Sequence, residues 1–165
     1  MTEPMKYGQT EFEVHLPPEL IAAELEPNQV DLPQRTTAEH IRWALDHPID
    51  SAPLKELVKA GDKVCVVISD VTRRWQAPDT YLPILIGELE AAGVRDEDIL
   101  ILSATGTHRR QTEEEHIGLV TKPVYDRIRV EDHVCTDQDN LAYVGTTSRG
   151  TPVWLDKRAL ACDHI

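Results

Sequence analysis

Two short aliphatic runs, Val64-Cys65-Val66-Val67-Ile68 and Ile99-Leu100-Ile101-Leu102, constrain the fold of this chain more than any other feature. Continuous apolar runs of this length, rich in β-branched residues, fit strands buried on both faces of a parallel sheet. Between them Leu82, Leu85 and Leu89 recur at helical spacing, with Ile86 beside them. Pro83 fits this helix if Thr80 is its cap, because the missing N–H then falls in the first turn. Gly93 suits the C-terminal cap. Strand, helix, strand makes a βαβ unit, whose crossover is right-handed in nearly all parallel sheets.

The rest of the chain is read around that unit. Glu11 to Leu16 alternates as a half-buried strand does, Pro17-Pro18 ends it, and the chain is irregular through Gln34. Thr36 with Glu39 is a capping box that opens a helix carrying Ile41, Ala44 and Leu45, closed by His47-Pro48. A short helix follows near Pro53 to Ala60. Thr112 with Glu115 is a second capping box, Ile128 and Val130 mark a third strand, and 141–144 with 152–155 form a small hairpin. Residues 159–165 read as the approach to a further strand, so the end of the chain is taken as a truncation. The expected fold is α/β: a Rossmann-like parallel sheet with flanking helices and a small β extension. It forms one domain over 1–165, the incomplete N-terminal domain of a longer protein, with 1–35 peripheral.

Composition narrows the partners. Twenty-nine acidic against 17 basic residues give a net charge of −12, which repels phosphate backbones and argues against nucleic acid. No apolar run is long enough for a membrane-spanning helix, and the polar start lacks a secretory signal, which points to the cytoplasm. Cys65, Cys135 and Cys162 are read as reduced thiols, Cys65 within the core.

Ligands of open α/β sheets bind beyond the carboxyl ends of the strands. Here those ends carry Ser69-Asp70-Val71-Thr72-Arg73-Arg74-Trp75 and Ser103-Ala104-Thr105-Gly106-Thr107-His108-Arg109-Arg110. Adjacent strands would bring a carboxylate, hydroxyls, guanidinium groups and one imidazole to a single rim. Arginine matches carboxylate or phosphate with its planar fork, and histidine exchanges protons near neutral pH. The plainer reading is an Asx turn beside solvated arginines; two such loops at equivalent ends of one βαβ unit favour a site. Asp132-His133-x-Cys135 has metal-ligand types at close spacing but lacks the paired four-ligand pattern of structural zinc. His116, behind three glutamates, is read as solvated. His15, His40, His47, Trp43 and Trp154 are read as surface or packing residues, and Trp75 as a candidate wall of the cleft.

Asp70-Val71-Thr72-Arg73 resembles the Asp-x-Thr-Arg motif of the lactate racemase family, and Gly106-Thr107-His108-Arg109 resembles its Gly-x-His-Arg segment. The stretch from Tyr125 to Asp163, with His133, Gly145-Thr146-Thr147 and Thr151-Pro152-Val153, is similar to the next section of that family. Together these cover most of residues 60–165, while the first 35 residues contribute little.

The resemblance implies a racemase or epimerase of 2-hydroxyacids that uses a nickel-pincer nucleotide (nickel in a pyridinium-3,5-bisthiocarboxylate mononucleotide). Substrate hydride is abstracted and returned on the opposite face, while two histidines handle the hydroxyl proton. It implies that His108 is one of these histidines and that Asp70, Val71, Thr72 and Arg73 contact the nucleotide. It further implies that Arg73 helps hold the substrate carboxylate. The family's nickel-binding histidine, cofactor-attaching lysine and second catalytic histidine lie further along, after a glycine-rich stretch that this sequence lacks. The chain alone is therefore expected to be inactive, to hold no metal and to retain no cofactor, with the missing C-terminal part as its partner. The alternative is a non-catalytic nucleotide- or anion-binding module.

Overall fold

The structure is a computed structural model describing residues 2–165. It divides into two compact units, one ending at Gln34 and one spanning Arg35–Ile165.

In the first unit β1 (Thr2–Tyr7) pairs antiparallel with β2 (Thr10–His15), turning at Gly8 with φ 60°. The strand expected near 11–16 is β2; its partner β1, which contains Pro4, has no alternating pattern to announce it. From Leu16 to Gln34 the backbone is irregular apart from a short 3-10 turn at Pro18–Leu20.

The second unit begins with α1 (Thr37–Asp46), whose capping box is complete: Thr36 N–H donates to Glu39 Oε2 at 2.7 Å, and Glu39 N–H to Thr36 Oγ1 at 3.3 Å. After α2 (Leu54–Leu57) come β3 (Val64–Ser69), α3 (Pro78–Ala91), β4 (Ile99–Ala104), α4 (Glu113–Val120), α5 (Lys122–Tyr125) and β5 (Arg129–His133). The hairpin β6 (Leu141–Thr146) and β7 (Pro152–Asp156) and the short α6 (Lys157–Leu160) complete it. Strands β3, β4 and β5 form a parallel sheet in that order, with Ser69 opposite Ala104 and Ala104 opposite His133. All three carboxyl ends thus reach one rim. At the other end of β3, His164 makes a parallel bridge to Val64, so residues after α6 return to the sheet as expected. No helix among the described residues is long and apolar enough to cross a membrane.

One sheet face carries the main core. Leu82, Ile86 and Leu89 of α3 and Leu119 and Val120 of α4 bury against Ile68, Ile99 and Ile101. Each such side chain contributes about 2 kcal/mol on removal from water. The opposite face carries a smaller cluster of Cys65, Leu100, Leu102 and Ala159, and Val67 stays 49% exposed. Burial on both faces, expected from the apolar run, therefore fails for Val67. A second correction concerns α3: it starts with Pro78 at its first position after Ala77, not at Thr80. Pro83 lies beyond the first turn and is exposed, which leaves the Asp79 carbonyl without its helical partner.

Candidate active site

Asp70 follows the last residue of β3 and caps the 3-10 turn Val71–Gln76. Its Oδ1 accepts from Thr72 N–H at 3.2 Å and from the Thr72 hydroxyl at 2.5 Å. Its Oδ2 is in close contact with Nδ1 of His108, which lies 38 positions later in the loop after β4. That loop bends at Gly106, whose φ of 59° suits a residue without Cβ, and the His108 N–H then donates to Thr105 O at 3.0 Å. The buried Thr105 hydroxyl anchors the loop to the carbonyl of His133.

Asp70 is 2% exposed, whereas the His108 side chain is 49% exposed. Burial pushes the Asp70 carboxyl up, but hydrogen bonds from Thr72 and His108 outweigh it and hold the group below the ordinary carboxylate range. An ionised Asp70 requires a proton on Nδ1 of His108. Nε2, which has no partner among the described residues, is left as the nitrogen available to a ligand. Asp70, Val71, Thr72, His108, Arg109 and Gln111 line a cavity of about 250 Å³.

The cationic side chains divide. Arg109, expected to face an anion, is committed to Glu115 through a two-pronged pair at 2.8 and 2.7 Å, which holds the Glu115 carboxyl down at about 2. Arg73 and Arg74 are exposed and form no ion pair among the described residues. Arg74 lies across Gly118 of α4, where a Cβ would come within 3.2 Å of its guanidinium. Trp75 is 78% exposed and does not line the cavity.

Beneath the rim is a polar network that the sequence did not announce. Asp132 is buried and accepts from Gln111 N–H at 2.7 Å, Gln111 Nε2 at 2.8 Å and His116 Nε2 at 2.8 Å. Burial raises its carboxyl, yet His116 and Gln111 bring it below the usual range. His116 is therefore held in this network, not solvated, with a side chain 12% exposed. Asp132 shares strand parity with the inward-facing Val130, and that charge at an inward position was the available signal. His133 faces the other way, to Asp156 at 3.1 Å, and Asp156 is clamped by Arg158. Asp132 and His133 thus go to opposite sides of the sheet.

Residues 7–165 match the model of the lactate racemase N-terminal domain. The chain belongs to the lactate racemase family. Over 128 residues it is 31% identical to the lactate racemase of Lactiplantibacillus plantarum, covering 77% of this chain and 30% of that protein. Over 160 residues it is 26% identical to the lactate racemase of Thermoanaerobacterium thermosaccharolyticum, covering 96% of this chain and 37% of that one. The structure of the lactate racemase apoprotein from the latter organism superposes with a TM-score of 0.77 at 26% identity over 99% of this chain and 37% of that chain. The chain spans about a third of the length of these relatives. The family match also takes in residues 7–35, which the sequence motifs did not reach.

Proposed function

We propose that this chain forms the rim of a 2-hydroxyacid racemase or epimerase on which the substrate proton is handled and the nucleotide end of a nickel-pincer cofactor is bound. The observation that supports it most is the Asp70–His108 pair, a buried carboxylate holding a half-exposed imidazole at a cavity, in a chain of the lactate racemase family. Arg73 and Arg74, exposed and without an ion-pair partner among the described residues, have the chemistry to receive a phosphate. Among the described residues no three His, Cys, Asp or Glu side chains are grouped to hold a metal. The proposal assigns no residue of this chain as nickel ligand, attaching lysine or second histidine. When bound, the cofactor would supply the hydride acceptor and donor.

The chain's own residues do the rest. His108 Nε2 takes the proton of the substrate hydroxyl, and Asp70 stabilises the imidazolium that results and keeps the ring in register. Arg73 offers its fork to the substrate carboxylate. The proposed location is the cytoplasm.

The test uses the complete protein, coexpressed with cofactor biosynthesis and assayed for racemisation of a panel of 2-hydroxyacids. His108→Ala should remove nearly all turnover, and turnover near wild type would remove His108 from this role. The 165-residue chain alone should show no racemisation and no stoichiometric nickel. It should bind phosphate or a mononucleotide at the two loops, more weakly as salt rises. Anion binding without any racemase activity of the complete protein would favour the binding-module reading, which the two unpaired guanidinium groups also support.

A further inference from the structure

Gln111 lies between the loop of His108 and the cap of α4, where it serves neither as cap nor as ion-pair partner. It nevertheless meets the carboxyl ends of all three parallel strands. Its Oε1 accepts from Val71 N–H, just past β3, at 2.7 Å. Its Nε2 donates to the Ser103 hydroxyl of β4 and to Asp132 Oδ1 of β5, both at 2.8 Å. Its backbone N–H donates to the other oxygen of Asp132 at 2.7 Å. The orientation of the amide follows from its neighbours. Reversing it would set the NH2 group against the Val71 N–H and the carbonyl against the Asp132 carboxylate. Asp132 is fixed in turn by His116, and Ser103 is fully buried.

We infer that Gln111 is a positioning residue for the Asp70–His108 pair: by holding the Val71 amide against β4 and β5 it fixes the turn that presents Asp70 to the imidazole. The inference rests on the reading of that pair as the proton-handling site, but its geometry is independent of racemisation. Val71 begins the turn whose next residue, Thr72, supplies both capping bonds to Asp70 Oδ1. Besides the Asp70–His108 contact itself, the bond from the Val71 amide to Gln111 is the described hydrogen bond that ties the start of that turn to β4 and β5. With the Val71 amide released, Asp70 Oδ2 would no longer be held at one place relative to Nδ1.

Nuclear magnetic resonance on the labelled 165-residue chain tests this without cofactor or substrate. Gln111→Met keeps the length of the side chain and removes the amide. In the folded variant the His108 ring is expected to go from one dominant tautomer to a mixture. The Asp70 carboxyl titration should rise by roughly 0.5–1 pH unit, the equivalent of one modest hydrogen bond lost. A purely structural role would lower the melting temperature and leave both signals of the folded form unchanged, which would overturn the inference. Should Gln111→Met not fold, the wild-type chain decides. A coupling across the hydrogen bond from the Val71 amide nitrogen to Gln111 Cδ supports the inference, and its absence overturns it. These readouts stand whether or not the complete protein racemises hydroxyacids, so the two proposals fail separately.

Discussion

An imidazole that is half in water and half against a buried carboxylate has its two nitrogens divided between two tasks. In His108, Nδ1 is spent on Asp70, and only Nε2 is left for chemistry. Asp70 therefore orients the ring and selects the tautomer with its proton on Nδ1. Asp70→Asn preserves shape while offering either an acceptor without charge or a donor that reverses the tautomer. In the complete protein we expect Asp70→Asn to lower kcat by about 100-fold or more while KM changes little, since the interaction strengthens as the imidazole gains its proton. Unchanged kcat with a large rise in KM would instead assign Asp70 to binding alone. At this scale the sequence was informative about identity and poor about partnership. Asp70, Thr72 and His108 could be singled out because they follow apolar runs, whereas Gln111 precedes an obvious cap and gives no sign of bridging three strands. The engagement of Arg109 by Glu115 could not be seen either, because both residues serve equally well as surface charges until the α4 cap fixes their distance.

The elements were legible where one rule dominates. Both capping boxes, at Thr36 and Thr112, open helices as expected, because Ser/Thr with Glu at the third following position satisfies two orphan N–H groups by local contacts alone. The parallel strands β3, β4 and β5 followed from hydrophobic runs. The boundary of α3 did not, because Pro78 at the first helical position competes with Thr80 as a signal, and proline's fixed φ prevails. One junction carries visible strain. Thr121, between α4 and α5, sits at φ 74°, ψ 151°, a region that glycine alone occupies without cost and that a β-branched residue avoids. Relief of 1–3 kcal/mol is the usual scale for such a position, offset by about 1 kcal/mol from the greater freedom of glycine in the unfolded chain. Thr121→Gly is accordingly expected to raise stability by about 1 kcal/mol, read as an upward shift of the urea midpoint at unchanged slope. A lower midpoint would mean that Thr121 is held by contacts worth more than its backbone costs.

Across the whole molecule, acidity is the dominant charge feature, with a net charge of −12 and three buried aspartates, Asp70, Asp132 and Asp156, in the Arg35–Ile165 unit. All three carboxyls are held below their ordinary value. For Asp156, burial pushes upward, but the bonds from Arg158 and His133 bring it to about 2, against 3.8 when unperturbed. A depressed folded-state value means that the stabilisation is present above the unfolded value and lost as pH falls through the folded one. The difference is about 2 kcal/mol for Asp156. The melting temperature should therefore drop between about pH 4 and pH 2, and Asp156→Asn should flatten that part of the profile while lowering stability at pH 7. A variant whose acid limb is as steep as that of wild type would show that the loss originates elsewhere.

Strand β3 is engaged on its outer side only at its start, where His164 bridges Val64 and its carbonyl accepts the Cys65 N–H at 2.9 Å. From Val66 to Ser69 that side has no strand partner among the described residues, and Val67 beside it is exposed. Free donors and acceptors on alternate residues, repeating about every 6.6 Å along a β-branched segment, form a template for an extended backbone. Such an edge does not discriminate by sequence. Its hydrogen bonds are made by backbone alone, so what it requires of a partner is direction and extension and not particular side chains.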